Sequence, residues 1–207
     1  MVKQFDKVMD SGKRQSFDTG SKRDTDDGKG TPHLIAGEPF VKVREYFKLT
    51  GTVYIDTFVS DKKALSLAIE DHLWKYTQLV ENREDNIKEI YEAFELTCYL
   101  IALDEGQPYN HYYCAYNRVA RHYQNGAIKY DVNNWRLGQP VSRYFDSANR
   151  HLWKLQAGLV DEDHHAALLW NLIAIIQTKI DVDRGILPVK LNNYPFTLAE
   201  VFKTKAE

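Results

Sequence analysis

The sequence predicts a mainly α protein: a helical bundle of about five helices with a small inserted β-hairpin. Three observations lead there. Apolar residues recur at helical spacing through five successive stretches between residues 61 and 182. Only the segments 40–47 and 52–59 alternate in the manner of strands, with Thr50-Gly51 between them as turn chemistry. The first 32 residues are polar, glycine-punctuated and too poor in apolar surface to fold alone. A chain of 207 residues suits one well-buried core, or one domain carrying an insertion. On this reading 1–37 is a glycine- and charge-rich segment packing on the core, and 38–110 is an inserted hairpin plus two helices. Residues 111–182 form the helical core that carries the candidate site, and 183–207 form a C-terminal tail, all within one globular domain.

The first strand expected is FVKVREYF (40–47) and the second TVYIDTFV (52–59), a pair that needs helices to lie on. Ser60-Asp61 then supplies an N-cap, and Leu65, Ile69, His72, Leu73 and Tyr76 keep the helical period. A second helix spans about 85–103. Its Glu89, Glu92 and Glu95 recur every third residue and read as a solvated face interleaved with Lys88. Facing a cleft, the same row could hold Mg²⁺. The loop 106–110 precedes a third helix, YCAYNRVARHYQNG, which weakens through KYDVNNW. Pro140 opens a fourth helix and Ala157-Gly158 closes it. The acids Asp161 to Asp163 begin a fifth, HHAALLWNLIAIIQTKI, which is apolar on most sides and therefore central. A last short helix is expected at 197–203.

Composition narrows the class. A formal net charge of −2 gives no global pull towards nucleic acid or a membrane surface, and no window approaches the ~18 apolar residues of a membrane span. The start, MVKQFDKVMD, lacks an apolar leader core, and Cys98 and Cys114 sit in apolar settings without CxxC spacing. Both read as buried free thiols, and the expected location is the cytoplasm. Thirteen tyrosines suggest broad flat contact surfaces, at an interface or around a planar ligand.

Chemistry-capable side chains concentrate in 118–171, which holds His122, His151, His164, His165 and the run Asp161, Glu162, Asp163. Such a set suits metal-assisted hydrolysis of a phosphoanhydride, with Glu162 and Asp163 holding Mg²⁺ or Mn²⁺ and His151, Asp163 and His164 as catalytic groups. Lys129, Arg143 and Arg150 would steady phosphates, and Trp135 and Tyr130 could stack on a base. Arg143, Ser147, Arg150, His151 and Lys154 share one helix face. Asn171, embedded in ALLWNLIAII, either clamps a loop backbone or contacts substrate, metal water or a catalytic histidine. Gly28-Lys29 invites a phosphate-loop reading that fails on spacing, because position 23 is Arg and Gly30 follows Lys29. Arg23 and Lys29 remain as anion contacts.

The segments FDTGSKRDTDDGKG, NGAIKYDVNNWRLGQPVSRYFDSANRHL and DEDHHAALLWNLIAII resemble a family common in phages, the N-terminal domain of dATP/dGTP diphosphohydrolases. The likeness covers 17–35 and 118–176. It rests on Phe17, Asp18, Thr19, Gly20, Arg23, Asp24, Gly28 and Lys29, then Gly126, Ala127, Lys129, Tyr130, Asn134, Trp135 and Gly138. It continues through Ser142, Arg143, Arg150, His151, His164, Trp170 and Asn171. The resemblance implies a hydrolase of purine deoxynucleoside triphosphates in phage nucleotide metabolism, in the host cytoplasm, with a helical fold akin to MazG-type pyrophosphohydrolases. It also implies that Arg23, Lys29 and Asn134 belong to the substrate site. The MazG-type metal signature, EExxE followed by ExxD, is absent. A second reading therefore stays open, a nucleotide-binding or nucleotide-sequestering protein without catalysis. Small helical proteins of this sort often complete their sites across a dimer, so a homo-oligomer is expected.

Overall fold

The helical periods read from the sequence become seven α-helices in the computed structural model, which describes residues 12–25, 28–51 and 61–203. Helix α1 (Glu38–Thr50) begins with Glu38 and Pro39 in its first turn and ends at Gly51, whose φ is 78°. This replaces the strand expected at 40–47. An eight-residue segment can satisfy both periods, and here Phe40, Val43 and Phe47 are buried at helical spacing while Val41 faces outward. A proline at the first turn and a glycine just past the last settle the matter in favour of the helix. The second expected strand, 52–59, lies outside the described residues. A two-stranded antiparallel hairpin does exist, but at β1 (Arg14–Ser16) and β2 (Lys22–Asp24), within the glycine- and charge-rich segment expected to pack on the core.

Asp61 caps α2 (Lys62–Tyr76) by accepting from the backbone N–H of Lys63 and Ala64 at 2.8 and 3.1 Å. Helix α3 (Ile87–Asp104) and helix α6 (His164–Asp183) are buried almost all round, as their apolar sequences require. They lie against each other at the centre. Helix α2 packs along α3, and α5 (Val141–Gln156) packs along α6 through Val141, Tyr144, Phe145, Ala148 and Leu152. Helix α4 (His111–Tyr130) touches both central helices, and α7 (Leu198–Lys203) closes the chain. Cys98 and Cys114 are free and buried. No helix among the described residues is long and apolar enough to cross a membrane.

Two glycines allow close approaches that frame one end of the bundle. At Gly30 (φ 81°) a Cβ would stand 2.9 Å from Ala120 Cβ, so only glycine lets this strand of chain lie on α4. Thr31 N–H donates to Ala120 O at 3.1 Å, Gly30 N–H donates to Gln124 Oε1 at 3.2 Å, and Leu34, Ile35 and Ala36 are buried behind them. Gly138 (φ 76°) is met by Leu187, whose Cδ1 would lie 2.8 Å from an added Cβ. The turn 134–137 is thereby held against the segment that follows α6.

The row Glu89, Glu92, Glu95 corrects the solvated-face reading. Glu95 is only 4% exposed, and all three carboxylates turn inward towards α1, α2 and α4.

Candidate functional site: a cationic cleft with a histidine–glutamate corner

The last two turns of α4, the 131–138 connection, the polar face of α5, the 161–163 corner and one turn of α6 enclose a cleft of about 790 Å³. Its floor is aromatic for a packing reason. Trp170 meets Tyr144 and Tyr123 edge-on at ring-centroid distances of 5.7 and 6.3 Å, and Tyr123 meets Trp135 at 5.8 Å. Trp135 has its Nε1 buried without a hydrogen-bond acceptor among the described residues, although an indole N–H at such depth ordinarily has one.

The walls carry cations. Arg143 and Arg150, two turns apart on α5, are exposed and make no ion pair among the described residues. Lys129 stands across from them at the end of α4, its Nζ 4.8 Å from the Tyr130 ring centre. Arg136 covers Trp135 at 4.7 Å. Between these lies unusual backbone: Asp131 has φ 74° and ψ 155°, and Asn133 sits in the left-handed region at φ 63°. Both residues line the cleft, and such conformations in non-glycine residues persist only where surrounding structure imposes them.

At one end the C-terminus of α5 meets the N-terminus of α6. His151 Nδ1 lies 3.2 Å from His164 Nδ1, and Glu162 Oε1 lies 3.5 and 3.6 Å from these same two atoms. His164, 1% exposed, has its Nε2 2.8 Å from Asp161 Oδ1, and Asp161 in turn takes Lys154 Nζ at 2.6 Å. The Lys154 ammonium and the His164 ring hold the Asp161 carboxyl down to about 2. Burial pushes His151 below the usual histidine range, against the pull of Glu162. His122 on the neighbouring wall is lowered by burial too, against the pull of Asp163 and Glu162.

Asp163 turns the other way. It accepts Ala166 N–H at 3.1 Å as the N-cap of α6 and takes Arg118 Nε at 2.8 and 3.0 Å. Burial alone would raise this carboxyl, but Arg118 and the helix N–H hold it below its ordinary value. Arg118 also pairs with Asp104 at 2.7 Å, which pairs with Lys62 at 2.7 Å. Asp163 lines the cleft yet is committed to this chain of charges, whereas its neighbour Glu162 is grouped with the two histidines.

The structure thus gathers most of the sequence candidates. Lys129, Asn134, Trp135, Arg143 and Arg150 line the cleft with His151, Glu162 and Asp163. Asn171 reaches it from the buried side, 3% exposed, with its Nδ2 donating to Ala167 O in the preceding turn. His164 stands behind the wall. Arg23 and Lys29 do not line the cleft. Arg23 is exposed on β2, and Lys29 pairs with Asp24 at 2.7 Å. Sequence reading missed Arg118, Arg121, Asp131 and Asn133 as builders of this region, and Asp161 as the partner of His164. An arginine two helical turns before Lys129 carried no local mark, but Asp161 stands three residues before His164, a spacing that could have been read.

Neither a curated protein nor a solved structure matches the chain. Residues 112–184, about a third of the 207-residue chain, match the family model described as dATP/dGTP diphosphohydrolase, N-terminal, and they run from α4 through α6, the elements that build the cleft.

Proposed function

We propose that the cleft binds a purine deoxynucleoside triphosphate and hydrolyses one of its phosphoanhydride bonds. The observation that carries this reading is the pairing of opposite wall chemistries in one cavity. Lys129, Arg143 and Arg150 face a volume of about 790 Å³ that also holds the Trp135 ring. Pockets for small ligands run to roughly 300–1,000 Å³, so a nucleoside triphosphate fits the size class. The family matched by residues 112–184 is named for hydrolysis of such nucleotides.

In this reading Arg143, Arg150 and Lys129 hold the phosphate chain by charge-assisted hydrogen bonds. Trp135 offers its face to the base and Asn134 offers amide groups to the base edge. The imidazole of His122, which lines the cleft, accepts a proton from the attacking water. Hydrolysis between the α- and β-phosphates adds that water's oxygen to one phosphorus and leaves diphosphate with the other oxygen, which takes up a proton. A divalent ion held with Glu162 would supply positive charge to the phosphate oxygens and make water more acidic when bound.

A thermal-shift panel of nucleotides, with and without divalent ions, tests the binding, and product analysis of each hit tests the cleavage. Purine deoxynucleoside triphosphates should raise the melting temperature and release diphosphate or phosphate. Arg143→Ala with Arg150→Ala should weaken binding by roughly 100-fold, the sum of two charge-assisted contacts. Absence of any shift and any turnover across the panel would reject the reading. Tight binding with the nucleotide recovered intact would select sequestration without catalysis.

A further inference from the structure

We propose that His151, Glu162 and His164 form a site for one first-row transition ion, taking Zn²⁺ more tightly than Mn²⁺ and discriminating against Mg²⁺. This deepens the nucleotide reading by naming the ion class of the same cleft. It rests on that reading for the ion's use in catalysis and not for its binding.

The three ligand atoms form a triangle with edges of 3.2, 3.5 and 3.6 Å. Bonds of about 2.0–2.1 Å at tetrahedral angles place neighbouring ligand atoms about 3.3–3.4 Å apart. The side chains therefore stand almost where an ion would draw them, and binding costs little rearrangement. The hydrogen-bond chemistry points the same way. Asp161 Oδ1, 2.8 Å from His164 Nε2, accepts a hydrogen bond from its N–H, which places the lone pair of His164 on Nδ1, the atom inside the triangle. A carboxylate behind a histidine in this fashion orients the ring and raises its basicity as a ligand. Lys154, 2.6 Å from the other oxygen of Asp161, keeps that carboxylate in place. Two imidazole Nδ1 atoms at 3.2 Å otherwise need a shared proton between them, and an ion satisfies both lone pairs at once.

The donor set decides the class of ion. Two nitrogens and one carboxylate oxygen suit zinc and its first-row neighbours, whereas Mg²⁺ seeks near-octahedral oxygen and keeps much of its water. His151 and Glu162 lie on the cleft wall with Arg150 while His164 is buried behind them, so the triangle borders the cleft. An ion with three protein ligands and one open position is the arrangement that lets a substrate oxygen bind.

The test titrates Zn²⁺, Mn²⁺ and Mg²⁺ separately into the full chain after chelator treatment, with calorimetry as the readout. One equivalent of Zn²⁺ should bind, Mn²⁺ more weakly, and Mg²⁺ at least roughly 100-fold more weakly than Zn²⁺. Co²⁺ should develop the visible absorption of a low-coordinate nitrogen–oxygen site. His151→Ala and Glu162→Gln should each weaken Zn²⁺ binding by roughly 100-fold, and Asp161→Asn by roughly 10-fold to 100-fold. Circular dichroism of each metal-free variant checks its fold. Should His151→Ala unfold, Glu162→Gln at its exposed position carries the comparison alone. Failure of the wild-type chain to take up stoichiometric Zn²⁺, equal affinity for Mg²⁺, or undiminished binding in Glu162→Gln would each overturn the proposal. Nucleotide affinity measured in chelator is read separately, so a lost metal site and a mistaken nucleotide reading give different results.

Discussion

Helix α3 carries Glu89, Glu92 and Glu95 against His72 and His111, while the corner between α5 and α6 carries Glu162 against His151 and His164. The residue types are the same and the outcomes are opposite. In the first region the protein supplies most of the partners, with Glu92 Oε2 and His111 Nε2 left without a hydrogen bond among the described residues. His72 Nδ1 lies 2.8 Å from Glu89, Tyr46 donates to Glu92 at 3.3 Å, and Tyr112 donates to Glu95 at 2.5 Å. His111 stacks on Tyr99 at 4.0 Å with its Nε2 3.2 Å from Glu95 Oε1. Burial raises the Glu92 carboxyl, against the pull of His72. In the second region two imidazole nitrogens and one carboxylate oxygen lie within 3.6 Å of one another at the edge of a cleft. A buried acid–histidine set thus becomes structural when phenols and imidazoles close its bonds. The site proposed above for an ion is the set whose nitrogens and oxygen instead crowd together beside a cleft.

Breaking the closed cluster should cost most. Glu95→Ala strips the acceptor from Tyr112 and the carboxylate beside His111, and should destabilise the fold by about 3 kcal/mol in denaturant titration. The same variant should leave Zn²⁺ affinity within about twofold of wild type. A large change in metal binding would mean that the two clusters are coupled.

Arg118→Ala strikes the scaffold of the open corner. It leaves Asp163 and Asp104 without their shared cation and should cost about 2 kcal/mol, less than a fully buried pair because one partner is 40% exposed. Because Asp163 adjoins Glu162, metal affinity should fall along with stability. Stability lost with metal affinity untouched would separate the corner from its support.

The smallest effect concerns acid. Burial works against the Asp104 carboxylate, but hydrogen bonds from Lys62 and Arg118 prevail and lower it to about 2. A carboxyl depressed on folding contributes stability above its unfolded value near 4, and that contribution disappears as pH falls from there through about 2. Asp104→Asn should therefore be less stable than wild type at neutral pH by about 1 kcal/mol after allowance for solvent screening, and the gap should close by pH 2. A gap that persists at pH 2 would assign the loss to packing.

The sequence made local things readable. Helical periods, the Asp61 and Asp163 caps and the shared face of Arg143, Ser147, Arg150 and His151 all depend on neighbours a few residues away. What needed the third dimension was harder. Glu89, Glu92 and Glu95 had the spacing of a solvated face, and only the positions of Tyr46, His72 and Tyr112 on other helices show that the face is interior. His151 and Glu162 belong together because α5 and α6 run back on each other through a short corner, which no spacing rule states. The hairpin was misplaced because eight residues of mixed period cannot choose between strand and helix without their caps and their packing partners.

Asp163 leaves a mechanical asymmetry. One carboxylate ties the start of α6 to Arg118 on α4, so the wall that carries Glu162 is anchored at the residue beside it. The opposite wall hangs on the 131–138 connection, with its positive-φ Asp131 and Asn133 and the wedge of Gly138 against Leu187. In the nucleotide reading proposed above, the histidine–glutamate group belongs to the clamped jaw and the base-facing Trp135 to the other. Under that reading, substitutions at 131–138 should change which base is accepted more than they change the contribution of Arg143 and Arg150, and nucleotide affinities of such variants measure it.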